Sequence, residues 1–244
     1  MTYIKLFFLL IHTIISSALA LLCSLDRSHK AYFILTKIFS APVLAISGIK
    51  VNITGKENVI PKTPYVFVSN HRSLFDIPVL QRYVPNDFSF VFKKEIARVP
   101  LFGWQMQLGP HIIVDRQNAS KAMKSIEKAK KMLVHRRISV LLFPEGTRST
   151  TREMLPFKRG AFHLATQVGF PIIPVTISGT GKLFQKKPLK INPGIVNLNF
   201  GKPIPADNII SRKEEIELME KVRNIISDNY KHSAEKESEN VSNS

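Results

Sequence analysis

Apolar residues run from Leu6 to Cys23 without one Asp, Glu, Lys or Arg, and 14 of these 18 positions are apolar. A membrane-crossing helix takes ~20 predominantly apolar residues. His12, Thr13, Ser16 and Ser17 interrupt the run, and the polar link Ser24–Lys30 ends it. A second apolar segment, Ala31–Ile49, contains Lys37 and Pro42, and a proline kinks or ends a helix. The pattern predicts two hydrophobic helices joined by a short turn, a membrane-attachment module over residues 1–50. They could form a hairpin dipping into one leaflet, or one spanning and one interfacial helix. A cleaved signal peptide is a competing reading, with Lys5 as its whole basic region. Buried helices of a soluble protein are another. An unbroken apolar stretch argues against that one, because a helix with one wet face alternates in polarity.

From Val51 the pattern changes to short apolar runs alternating with amphipathic ones. Tyr65–Ser69, Phe88–Phe92, His111–Val114, Ser139–Phe143, Ile172–Ile177 and Ile195–Phe200 are predicted as strands, most of them rich in Val, Ile and Phe. Ala119–His135 is predicted as a helix, since Ala122, Ile126, Ala129 and Leu133 recur at three- and four-residue spacing. Gly160–Val168 and Arg212–Lys231 are further helices. Strands alternating with helices predict an α/β domain, a mostly parallel sheet flanked by helices, over residues 51–231. The polar, apolar-poor tail 232–244 is predicted to be disordered.

Charge changes the picture in one respect. Thirty-five Lys and Arg against 18 Asp and Glu leave +17, which calls for anionic partners. Nucleic acid would fit the charge, but the chain has no zinc-finger spacing or aromatic–basic RNA motif, and an apolar N-terminus does not suit that role. A membrane surface fits both features. Arg27, Lys30, Lys37, Lys50 and Lys56 all follow the first apolar run, so the positive-inside rule puts the main domain on the cytoplasmic side. Cys23 is the single cysteine, which excludes an intrachain disulfide and a Cys-based metal cluster.

Two polar clusters follow buried-type strands, where α/β folds usually place sites. Tyr65–Ser69 leads into Asn70-His71-Arg72-Ser73-Leu74-Phe75-Asp76. His71 is the best general base by type. Asp76, five residues on, can reach back to its imidazole if the chain turns into a helix there, fixing the tautomer and stabilising an imidazolium. No nucleophile accompanies the pair, because neither Ser69 nor Ser73 sits in a G-x-S-x-G elbow. A substrate hydroxyl can fill that place. Ser139–Phe143 leads into Pro144-Glu145-Gly146-Thr147-Arg148-Ser149. Here Gly146 permits a tight turn and Arg148 offers a planar fork for phosphate or carboxylate. Lys93, Lys94 and Arg116 also follow strands, and basic groups at successive strand ends can converge on an anion.

Taken together, these blocks resemble the glycerolipid acyltransferases, specifically the 1-acylglycerol-3-phosphate acyltransferases. Asn70-His71 with Asp76 matches N-H-x-x-x-x-D, and Phe143–Ser149 matches F-P-E-G-T-R-S. Phe92–Gly103 with Ile113–Arg116 and Phe170–Val175 resemble the second and fourth blocks, and the resemblance spans residues 51–205. It implies that His71, oriented by Asp76, deprotonates the free hydroxyl of lysophosphatidic acid. That oxygen then attacks the thioester of acyl-CoA or acyl carrier protein, giving phosphatidic acid. It further implies that Glu145, Gly146, Thr147 and Arg148 hold the glycerol phosphate, with Lys93 and Arg116 helping to neutralise it. No cofactor or metal is implied beyond the acyl donor as co-substrate. Glycerol 3-phosphate, another lysophospholipid or an acylated amino-acid lipid remain alternative acceptors.

Overall fold

A computed structural model describes residues 1–115, 119–149, 151, 153–186 and 189–242. The chain begins with two long helices, α1 (Thr2–Cys23) and α2 (Lys30–Ser47). Both are long and apolar enough to cross a membrane. They pack on each other, and α2 also packs on the domain, burying Val43 and Leu44 in its core. Where the sequence pattern predicts a kink or an end at Pro42, α2 runs through it and stops at Gly48, which takes a left-handed φ of 75°. Proline costs the helix one backbone hydrogen bond. Burial of the residues just after it holds the helix together.

The domain is built on a seven-stranded sheet. Its strands are β1 (Ile49–Thr54), β2 (Val66–Ser69), β3 (Phe88–Lys93), β4 (Ile112–Val114), β5 (Ser139–Leu142), β6 (Ile172–Ser178) and β9 (Gly194–Phe200). They lie in the order β1-β9-β6-β2-β5-β3-β4, and every pairing is parallel except β6 with β9. A separate antiparallel pair, β7 (Phe184–Lys186) and β8 (Leu189–Ile191), stands outside it. The helices of the domain are α3 (Asp76–Tyr83), α4 (Phe102–Leu108), α5 (Ala119–Arg136), α6 (Arg159–Val168), α7 (Thr180–Leu183) and α8 (Arg212–Ser242).

The two-residue period of the strands separates two cores. Phe67, Val175 and Leu198 point to a core with α2 and α3, whose Val79 and Leu80 are fully buried. Val66, Val68, Val140 and Leu142 point the other way, to Ile126 and Leu133 of α5, Phe162 of α6 and Val222 and Ile226 of α8. Both faces are covered, so the central strands read as near-continuous apolar runs.

Two further elements depart from the pattern reading. β1 is a strand that apolar runs alone do not reveal. Its Ile49, Val51 and Ile53 alternate with Lys50, Asn52 and Thr54, and it pairs with β9 along its whole length. Helix α8 continues to Ser242, beyond the boundary at Lys231 where the polar composition predicts a disordered tail. Propagating a formed helix adds one backbone bond per residue and needs no burial. Ala, Glu and Lys, common in this stretch, are good helix formers.

Candidate active site

β2 and β5 are hydrogen-bonded neighbours at the middle of the sheet. The chain leaves β2 toward β3 on one side, and leaves β5 toward β6 on the other. Their carboxyl ends therefore flank the switch point, where open α/β sheets form a crevice. The two polar clusters, 74 positions apart in sequence, meet there.

Asn70 begins the turn. Its side chain donates to Ile177 O (2.8 Å) and accepts from Ile177 N (2.9 Å), extending the β2–β6 pairing by one side-chain amide. The chain then folds over Asp76, the first residue of α3. Asp76 Oδ2 accepts from Arg72 N (2.7 Å), Ser73 N (2.8 Å) and His71 Nδ1 (2.8 Å). The two backbone N–H groups thus hold the carboxylate that holds the ring. With Nδ1 donating to a carboxylate, the neutral ring carries its lone pair on Nε2. Asp76 is fully buried, while the His71 side chain keeps 14% exposure, enough for a substrate to reach. Its other face stacks on Phe143, with centroids 4.0 Å apart and planes 18° from parallel.

Glu145 joins the second cluster to the first. Oε1 accepts from His71 N (2.7 Å) and Oε2 from Leu155 N (2.8 Å), and Ser149 N donates to His71 O (2.9 Å). Burial pushes the Glu145 carboxyl above its ordinary range, against the pull of the two backbone donors. The resemblance makes Glu145 a ligand of the acceptor. In the structure each of its oxygens accepts a main-chain N–H, so it also braces the base from behind. Gly146 closes the turn with φ 73°, a conformation costly to other residues.

Arg148 is half-buried and Thr147 exposed on the outer side of the same turn. Lys93 is exposed at the carboxyl end of β3, next to β5 in the sheet and so at the same edge. Lys94 beside it is bound to Asp115 at 2.8 Å. Arg116 lies outside the described residues. Two neighbours of the catalytic pair escaped sequence reasoning. Phe143 has no signal beyond its place at a strand end. Arg72, next to the base in sequence, packs against Gly181 and donates to the Tyr230 hydroxyl of α8 at 3.0 Å.

The sequence profile of the family described as Acyltransferase matches residues 50–178, which includes both clusters. The chain belongs to the acyltransferase family. Its relatives include the 1-acyl-sn-glycerol-3-phosphate acyltransferase of Saccharomyces cerevisiae, 37% identical over 87% of this chain and 70% of that one. The protein of the same name from Cocos nucifera is 36% identical over 67% of this chain and 52% of its own length. The human alpha form is 33% identical over 66% of this chain and 57% of its own. This acyltransferase thus spans little more than half the length of several relatives. Its fold is shared with the crystal structure of the 1-acyl-sn-glycerophosphate acyltransferase PlsC from Thermotoga maritima. The TM-score is 0.78, with 24% identity and coverage of 95% and 94% of the two chains. In this acyltransferase the profile match ends at Ser178, the last residue of β6, so it takes in β2 to β6, all of β1 but its first residue, and both motif turns.

Proposed function

We propose that the protein transfers an acyl group from an acyl thioester to the free hydroxyl of 1-acylglycerol 3-phosphate, giving phosphatidic acid. The observation that carries this reading is the His71–Asp76 pair at 2.8 Å, set against the Glu145–Arg148 turn in a member of the acyltransferase family. Among the described residues, no hydroxyl or thiol bonds to the His71 ring. Ser69, Ser73 and Ser149 are buried, with their hydroxyls engaged by or close to main chain. The nucleophile is therefore the acceptor's own hydroxyl. His71 Nε2 takes its proton, the oxygen attacks the thioester carbonyl, and Asp76 stabilises the imidazolium that forms. As the tetrahedral adduct collapses, that proton goes to the departing thiolate. Arg148 and Lys93 supply positive charge for the acceptor's phosphate, and the donor is acyl-CoA or acyl carrier protein.

The acceptor is an amphiphile of the bilayer, and α1 and α2 bring the site to it. Helix α1 is bound to β8 through Thr2 to Ile191 and to α2 through Lys5 to Ser47 and His12 to Phe39, and it packs on α4 of the domain. Its exposed apolar stripe, including Phe7, Phe8, Ile11, Ile15 and Leu22, faces outward along its length. This favours a hairpin lying in one leaflet, with the basic domain on the cytoplasmic side.

The test is an assay of detergent-solubilised wild type and His71→Ala with lysophosphatidate and labelled acyl-CoA, then with acylated carrier protein. Wild type should form phosphatidate with at least one donor, and His71→Ala should lose about 10²–10⁴-fold. Absence of phosphatidate with both donors, alongside turnover of another lysolipid, would replace the acceptor. Full activity of the variant would remove His71 as base.

A further inference from the structure

The connection from β3 to β4 presents apolar side chains to solvent. Trp104 and Leu108, one turn apart on α4, are 47% and 55% exposed. Val99, just before the helix, is 47% exposed. The opposite side of α4 is well seated, with Gln105 buried and Met106 packed on the core. The outward face is therefore not the product of a loose helix. Contiguous exposed apolar surface of this kind marks a contact with a partner or a membrane.

Its position identifies the occupant. Helix α4 packs beside α1, so its outer face adjoins the apolar stripe of the hairpin. His29, in the α1–α2 link, contacts Leu108 O at 3.3 Å through Nε2 and receives Arg136 Nη1 on Nδ1 at 2.7 Å. The end of α4, the hairpin turn and the end of α5 are thus tied at one point. Exposed basic groups lie on the same elements: Arg27 and Lys30 in and after the link, Arg98 before α4, and Arg136 at the point itself. An apolar strip with a tryptophan and a cationic border suits the interface of an anionic leaflet, where the amphipathic indole sits at headgroup level. A second copy of the chain suits it less, because a two-fold contact would set these cations against their own images.

We propose that the membrane-facing surface extends beyond the hairpin onto the β3–β4 connection, with Trp104 as its interfacial anchor on an anionic leaflet. The proposal rests on the hairpin's attachment to the bilayer. Because this connection starts from Lys93 at the site edge of β3, its docking sets that edge beside the leaflet holding the acceptor.

The chain provides its own probes, since Trp104 is its one tryptophan and Cys23, at the end of α1, its one cysteine. The full-length protein, carrying an environment-sensitive label on Cys23, is bound to phosphatidylglycerol-containing vesicles with or without acyl-chain-brominated lipid. The expected result is a blue shift of Trp104 emission together with quenching of both Trp104 and the Cys23 label by brominated lipid. If the label is quenched while Trp104 stays unshifted and open to aqueous iodide, the hairpin attaches but α4 does not, and the proposal is overturned. If neither is quenched, the attachment reading fails and the proposal with it. A Trp104 shift that follows protein concentration in detergent without lipid assigns the face to a second copy and also overturns it. Trp104→Ser should weaken vesicle binding several-fold and raise KM for vesicle-borne acceptor, leaving KM for detergent-dispersed acceptor unchanged. An equal rise in both would point to a structural role instead.

Discussion

Replacing Asp76 by asparagine separates the charge of the catalytic pair from its geometry. Oδ2 receives three donors, from His71 Nδ1, Arg72 N and Ser73 N. An asparagine with its carbonyl oxygen at that position keeps all three bonds. Its amide then takes the place of Oδ1, which is buried with no partner. The opposite flip would turn an NH2 group toward three N–H donors, so the first orientation wins. The turn and the imidazole stay in place, and one negative charge is lost. In the transition state that charge faces a developing imidazolium. Unit charges about 4 Å apart at an effective dielectric of ~20 attract by about 4 kcal/mol. At roughly 1.4 kcal/mol per decade, removing the attraction lowers kcat by up to about a thousandfold. The assay is phosphatidate formation at saturating acceptor and donor, read beside thermal unfolding. Stability should fall by only about 1 kcal/mol, because the bonds persist to a neutral acceptor. A kcat within about tenfold of wild type, with the fold intact, would refute imidazolium stabilisation by Asp76 and with it the base role of His71.

The remaining predictions concern the frame and the acceptor. Glu145→Gln leaves either His71 N–H or Leu155 N–H facing an amide NH2, and should cost about 1–3 kcal/mol in chemical denaturation. The folded pKa of Glu145 lies above its unfolded value, so its contribution to stability is present below the unfolded pKa and is lost as pH rises through the folded one. The glutamine variant should lose that part of the acid-range dependence. Parallel pH profiles for the two proteins would contradict a raised pKa. Gly103→Ala would set a Cβ 2.3 Å from Ile96 O and 2.5 Å from Ala97 O, both main chain. It should destabilise the protein by about 1–3 kcal/mol, seen as a lower Tm. Arg148→Ala should raise KM for lysophosphatidate with little change in kcat, equivalent to about 1.5–3 kcal/mol of charged hydrogen bonding. Unchanged steady-state kinetics would place Arg148 outside the acceptor site.

What the sequence determined by itself is what local patterns carry. Six of the strands follow from short Val-, Ile- and Phe-rich runs, and α5, α6 and the body of α8 from three- and four-residue apolar spacing. These periods express the geometry of one element and need no partner to be read. The His71–Asp76 pair was legible for the same reason, since five residues of turn and helix start bring the carboxylate back to the ring. The exposed apolar hairpin also announced itself by composition.

The tertiary structure alone decided how these pieces meet. Strand order depends on which crossovers cover both faces of the sheet, a long-range matter with no local mark. It makes β2 and β5 neighbours and so joins His71 to Glu145. That contact makes Glu145 a brace of the base, with each carboxylate oxygen accepting one main-chain N–H. Long-range contact likewise stacked Phe143 on the base, paired β1 with β9 and carried α2 past Pro42. It also laid α4 beside α1, so that Trp104, in the mostly apolar run Val99–Leu108, became part of an exposed apolar surface next to the hairpin. A side chain's chemistry is given by its type, but whether that chemistry is available depends on the neighbours that folding supplies.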